Sequence, residues 1–185
     1  MPMKQILCFF IGLSILVASG CSRIENDRAR EVKKLMGRKI VFDSNLEPIA
    51  CNMAEAQNPL DAKVKIVAYI DEMACTNCAL KILIDWQESM VDMDKRVEFV
   101  PVIYPVDKAK LQDFLCANGV SYELMYDAKN RFKKQNRLDV SYLNRTFLLD
   151  KNNRIVLVGE PIGNPTLWKL YVDTANKLIA EGSDN

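Results

Sequence analysis

The order of elements along this chain predicts an α/β fold, a three-layer sandwich with a central mixed sheet and helices on both faces. Three observations carry that reading. Two apolar runs, Val64 to Ile70 (VKIVAYI) and Val97 to Tyr104 (VEFVPVIY), read as buried strands, and each is followed by a helical pattern. Two shorter runs, Thr146 to Leu149 and Arg154 to Val158, flank Asp150-Lys151-Asn152-Asn153, a hairpin turn. A last amphipathic stretch follows Gly163-Asn164-Pro165. The resulting order, β-α-β-α-β-β-α, puts crossover helices first and a hairpin last, which gives a sheet that is parallel only in part.

Taken in order, residues 22 to 37 are polar, with Val32, Leu35 and Met36 on one helical stripe and Gly37 as a stop. This predicts a tether leading into a short helix. Lys39 to Phe42 reads as a short strand. Asp43 to Asp61, with Pro48, Pro59 and several Asn and Asp residues, reads as loop carrying Cys51. Val64 to Ile70 leaves only Lys65 for solvent. From Cys75 the apolar positions Ala79, Ile82, Leu83, Trp86, Met90 and Met93 make one buried helix face. Pro101 counts against the second strand. Lys108 to Asn118 is a helix ended by Gly119, with Cys116 on its apolar side. Val120 to Tyr126 is a short extended piece, and Ala128 to Asn136 a basic surface helix. The last helix buries Leu167, Leu170, Tyr171, Ala175, Leu178 and Ile179.

The first twenty residues stand apart from this core. Lys4 forms a positive start, Ile6 to Val17 an apolar stretch, and Ala18-Ser19-Gly20 a small-residue cleavage zone before Cys21. The segment LVASGC resembles the lipobox of bacterial lipoproteins, which implies cleavage before Cys21 and acylation of that residue. An ordinary secretory signal with an incidental cysteine is the other reading. The domains expected are a signal peptide over 1–20, a lipidated tether and extension over 21–61, and an α/β domain over 62–185. Residues 21–185 carry equal numbers of acidic and basic side chains and no basic block, so nucleic acid is not an expected partner. The chain has no histidine. That excludes Ser-His-Asp and Cys-His catalysis and the usual histidine metal sites.

Chemistry then rests on the cysteines, above all Cys75 and Cys78 in DEMACTNC, where strand gives way to helix. Such a pair can be a redox dithiol, a static disulfide, two buried thiols or half of a zinc site. Zinc would need two more ligands, and only Cys51 and Cys116 remain, at irregular spacing. Those two can pair or stay free.

Cys-x-x-Cys opening the first crossover helix resembles the thioredoxin-like superfamily, in particular its exported, lipid-anchored thiol-disulfide oxidoreductases. The resemblance covers roughly residues 62 to 181. It is strongest in VKIVAYIDEMACTNC and TFLLDKNNRIVLVGEP. It implies a membrane-anchored enzyme of the bacterial envelope, facing the periplasm, that needs no cofactor or metal. Its partners would be envelope protein thiols and disulfides plus an upstream redox partner. Reduction is the favoured direction; a non-catalytic envelope lipoprotein on the same fold is the alternative. Cys75 at the helix tip would be the nucleophile, where unpaired N–H groups favour a thiolate, and Cys78 the resolving thiol. Glu72, Thr76, Asn77 and Arg145 would tune them. Three positions depart from the pattern. Ala74 replaces the usual Trp, Tyr69 stands in the place of a buried Asp, and Arg145 stands in the place of the cis-proline, bringing a cation near the dithiol. The peroxiredoxin motif Pro-x-x-x-Thr-x-x-Cys is absent for both cysteines. Asn144-Arg145-Thr146 matches a glycosylation sequon by pattern only.

Overall fold

The computed structural model describes residues 26–52, 58–71, 76–104, 107–139 and 144–183. The signal segment and Cys21 lie outside them. The chain divides into two compact units, Met1–Leu35 and Met36–Asn185. Of the first, one helix is described, α1, residues 26–35.

The second unit holds a six-stranded sheet in the order β1-β4-β3-β2-β5-β6. The strands are β1 (Glu47–Ile49), β2 (Val64–Ile70), β3 (Val97–Ile103), β4 (Leu124–Tyr126), β5 (Thr146–Leu149) and β6 (Ile155–Val158). The helices are α2 (Thr76–Met90), α3 (Lys108–Ala117), α4 (Arg131–Asn136) and α5 (Pro165–Ser183). β2 and β3 pair in parallel from Val64↔Val97 to Ile70↔Ile103, and β3 pairs in parallel with β4. The other three pairings are antiparallel. The mixed sheet expected from the element order is therefore present.

The starts of α3, α4 and α5 are fixed by polar side chains. Asp107 accepts from the N–H groups of Ala109 and Lys110 at 3.0 and 3.1 Å, and Asn164, before Pro165, accepts from Leu167 at 3.1 Å. Asp127 accepts from Arg131 and Phe132 at 2.9 Å, so α4 starts at Arg131 and the expected helical residues 128–130 form a turn instead. Pro101 is harmless for a reason that the register supplies. Tyr104 N–H donates to Ile70 and Asp127 N–H to Ile103, so the odd-numbered positions of β3 face β4. At Pro101 that side is open, because β4 pairing begins only at Val102.

The two sheet faces pack differently. On one, Ile66, Ala68 and Phe99 meet Trp86 of α2 and Tyr171 and Ala175 of α5, and Trp86 stacks on Phe99 with ring centroids 4.3 Å apart. Ile70, Leu83 and Ile103 continue this face to Leu111 and Leu115 of α3. On the other face Tyr69 stacks against Phe132 of α4 at 5.8 Å. The expected core roles of Trp86 and Met93 hold; both are buried. Asn144 and Thr146 are buried too, so the sequon is inaccessible.

Further expectations need correction. Leu170, placed on the buried face of the last helix, is exposed. Lys39 to Phe42 is not a strand but a single bridge, Lys39↔Arg154. Past it the buried Asn136 amide serves as the missing neighbour, accepting from Val41 N–H at 2.8 Å and donating to Val41 carbonyl at 2.9 Å. The strand of this region is β1, within the expected loop. Three residues and a proline hid it, and it is tolerated as an edge strand. Lys65 is 2% exposed, its amine donating to the Ala62 carbonyl, and burial pushes its pKa down. Cys116 is exposed rather than in the core, and it is bonded to Cys51, Cα to Cα 4.8 Å, across 65 residues of sequence.

That disulfide fastens the segment behind the three-residue edge strand β1 to the end of α3. Closing a loop of this size restricts the unfolded chain by about 4 kcal/mol in the entropic picture. The Cys51→Ser variant is expected to lose about 2–4 kcal/mol of unfolding free energy, read from the guanidinium midpoint. An unchanged midpoint would show that β1 is held without it.

Candidate functional site

β2 ends at Ile70 and α2 begins at Thr76, so the Cys-x-x-Cys sequence spans a strand-to-helix junction at the C-terminal edge of the central strand. Glu72 and Cys75 lie outside the described residues. Thr76, Asn77 and Cys78 form the opening of α2 and are described by backbone alone.

Around this junction the sheet gathers charge. Asp71, the residue after β2, binds the Arg145 guanidinium through one carboxylate oxygen. Its other oxygen lies 3.1 Å from the Lys133 amine of α4. The side chains are 18%, 18% and 22% exposed, so these pairs are neither free in water nor fully sealed from it. Arg145 reaches Asp71 because β5 runs antiparallel to β2. Ala68 pairs with Thr146, and the next backbone bond runs from Tyr69 N–H to the Arg145 carbonyl at 3.0 Å. Lys133 was expected on a solvated basic surface; its pairing across 62 residues of sequence makes it part of the site instead. Among the described residues no peptide bond is cis.

Tyr69, in the position where the resemblance would place a buried acid, is turned away from α2. It packs on Phe132, and its hydroxyl donates to Asn130 Oδ1 at 2.9 Å. Burial pushes its pKa well up, the Asp71 and Asp127 carboxylates add to this, and Arg145 opposes it, so the phenol is neutral. Ala68 occupies the α2 side, beside Trp86.

A carboxylate does lie on the α2 side of the sheet, though from a different strand end. Glu160 follows β6 at the same edge of the sheet as the dithiol junction. Thr146 hydroxyl donates to its Oε2 at 2.7 Å and Ile162 N–H to its Oε1 at 3.2 Å. Burial raises its pKa, and these two hydrogen bonds only partly offset that. Close by, Tyr171 hydroxyl donates to the Gly159 carbonyl at 2.9 Å; burial, reinforced by the Glu160 charge, raises its pKa far above the usual value. Asp71, Lys133 and Glu160 were absent from the expected site. The one sequence signal for Glu160 was its place beside the strand-turn-strand segment. Among the described residues no group of three Cys, Asp or Glu side chains could hold a metal ion.

The raised Glu160 pKa fixes the sign of a pH effect. Its charged form is disfavoured in the fold, so its contribution is complete below about pH 4.5 and is lost as pH rises through the higher folded value. Glu160→Gln is expected to flatten that part of the stability–pH curve and to gain stability relative to the parent towards neutral pH. Parallel curves for the two proteins, measured by thermal unfolding, would mean that Glu160 is solvated.

No family model matches the chain, and no curated protein matches it. Solved structures do match. A proposed protein disulfide isomerase from Bacteroides thetaiotaomicron is similar at a TM-score of 0.52 and 18% identity, over 80% of this chain and 96% of its own. A proposed thiol:disulfide interchange protein DsbE from Chlorobium tepidum gives 0.53 at 13% identity, over 76% and 96%. The thioredoxin domain of a thiol-disulfide oxidoreductase from Bacteroides vulgatus gives 0.51 at 12%, over 74% and 97%. At such identities the likeness is one of fold. With its mixed six-stranded sheet and its helices, the protein has the thioredoxin-like α/β fold.

Proposed function

We propose that the protein is a membrane-anchored thiol-disulfide oxidoreductase of the bacterial cell envelope, facing the periplasm, with Cys75 and Cys78 as its redox dithiol. One observation carries the reading: Cys-x-x-Cys sits where the central strand of a thioredoxin-like sheet gives way to a helix. The Cys75 thiolate attacks one sulfur of a partner disulfide, forming a mixed disulfide and releasing one partner thiolate. Cys78 then attacks the Cys75 sulfur, releasing the second partner thiol and closing Cys75–Cys78. Two electrons pass to the partner, and an upstream dithiol restores the reduced pair. Reduction of envelope proteins is the direction proposed. The Cys51–Cys116 disulfide supports an oxidising compartment.

A second reading, a non-catalytic binding module on the same fold, has its own support. Tyr69 is turned from α2, and Arg145 is bound to Asp71 where the reductases that this chain resembles carry a proline. Redox titration of the fragment lacking residues 1–21 against glutathione separates the two. An oxidoreductase is expected to show a two-electron transition at Cys75–Cys78 that disappears in Cys75→Ser, with iodoacetamide labelling Cys75 faster than Cys78. A pair that does not exchange, or that labels equally, favours the module.

The anchor is tested separately. Among the described residues no helix is long and apolar enough to cross a membrane. Cys21→Ser is expected to release the protein to the soluble fraction; pelleting with membranes after a salt wash would contradict acylation there.

A further inference from the structure

We propose that the Cys51–Cys116 disulfide is a surface redox switch: a dithiol reductant opens it in the folded protein and so frees β1 from the edge of the sheet. This site is separate from Cys75–Cys78, and its chemistry does not depend on that pair.

Three rungs tie the β1 segment to α3, along one stripe of that helix. Lys108, Gln112 and Cys116 follow one another at intervals of four residues, so they share a helix face. Lys108 binds the Glu47 carboxylate, Gln112 donates to the Ala50 carbonyl at 3.4 Å, and Cys116 is bonded to Cys51. The rungs differ in strength. The Lys108 and Glu47 side chains are half exposed, where an ion pair contributes little, and a 3.4 Å hydrogen bond is long. The covalent rung is the strongest of the three.

Two features make that rung a switch. Cys51 and Cys116 are both exposed, so an attacking thiolate reaches the bond without unfolding the chain, and exposed disulfides are the labile ones. The strand that the bond secures is also weakly anchored. β1 has three residues, buries Ile49 alone and includes Pro48, which has no N–H to donate, whereas β2 buries all seven of its residues. β1 is the edge of the sheet and pairs with β4 from Glu47↔Tyr126 to Ile49↔Leu124. Its departure bares that side of β4.

In the reaction a reductant thiolate attacks one sulfur of the pair. The Cys51–Cys116 bond breaks, a mixed disulfide forms, and the other cysteine leaves as thiolate and takes a proton. The reductant's second thiolate then attacks the reductant sulfur of the mixed disulfide, closing the reductant's own disulfide and releasing the second cysteine. Two electrons and two protons pass from the reductant to the protein.

The test uses the full chain in detergent carrying Cys75→Ser and Cys78→Ser, so that the other pair does not enter the count, with the unsubstituted chain beside it. Dithiothreitol is the reductant, and free Cys51 and Cys116 are counted by alkylation and mass spectrometry. Expected is a reduction rate proportional to dithiothreitol and unchanged by urea below the unfolding transition. After reduction, hydrogen exchange in peptides covering 46–50 and 124–126 is expected to speed up by about tenfold or more, while β2 and β3 stay protected. A rate that levels off with dithiothreitol, or that climbs with urea as steeply as global unfolding, would overturn the proposal, because the bond would then open only through the unfolded chain. So would reduction that leaves exchange at 46–50 unchanged, or that releases β2 and β3 together with β1. None of these outcomes touches the exchange of Cys75–Cys78 with glutathione, so the oxidoreductase reading stands or falls by itself. Peptide-resolved counting on the unsubstituted chain gives the same rates if the substituted one fails to fold.

Discussion

β2 is the strand on which the rest of the sheet is built. It is buried along its whole length, with β3 parallel on one side and β5 antiparallel on the other. That mixed pairing has a geometric result. The C-terminal end of β2, where the chain enters α2, lies beside the beginning of β5, so residues far apart in sequence meet there. Asp71 and Arg145 face each other across 74 positions for that reason alone. A wholly parallel sheet would have put the start of β5 at the opposite edge.

Burial on both faces also explains which parts of the fold were legible in the sequence. A strand shielded on each side reads as an unbroken apolar run, and β2 and β3 announce themselves so; α2 and α5 do so by their one-sided spacing. β1 could not be read, because its partner β4 is 75 or more positions away and its own three residues include a proline. Lys39 to Phe42 misled in the opposite sense, having strand composition but an Asn136 side chain as its neighbour. Lys65 and Cys116 show that residue type predicts burial poorly when a single partner decides it. Lys65 finds the Ala62 carbonyl inside the fold, and Cys116 finds Cys51 at the surface.

The candidate site divides along the same line. Cys75 and Cys78 are a local pattern, three residues apart at the head of a helix, and need no tertiary information to be noticed. The charges that surround their junction are long-range. Lys133 looked like one of several basic residues on a solvated helix, and Arg145 like a lone cation replacing a proline. Only the sheet pairing and the docking of α4 through Phe132 bring both onto one carboxylate. Glu160 was hidden in a similar way. Its hydrogen bond to Thr146 crosses from the end of one hairpin strand to the start of the other, and no spacing rule reports it.

The Cys51–Cys116 link encloses β2, the dithiol, α2 and β3 within one covalent ring. Past Cys21, proposed to be acylated, a chain that emerges amino end first presents Cys51, then Cys75 and Cys78, and only later Cys116. Early oxidation in order of appearance would therefore join Cys51 to a dithiol cysteine, 24 or 27 positions on, and tie β2 into the wrong loop. Correct maturation demands either that Cys51 stay reduced until α3 has appeared or that a mispaired bond be reshuffled, a process of seconds to hours. The dithiol would then be the first exchange partner its own chain encounters.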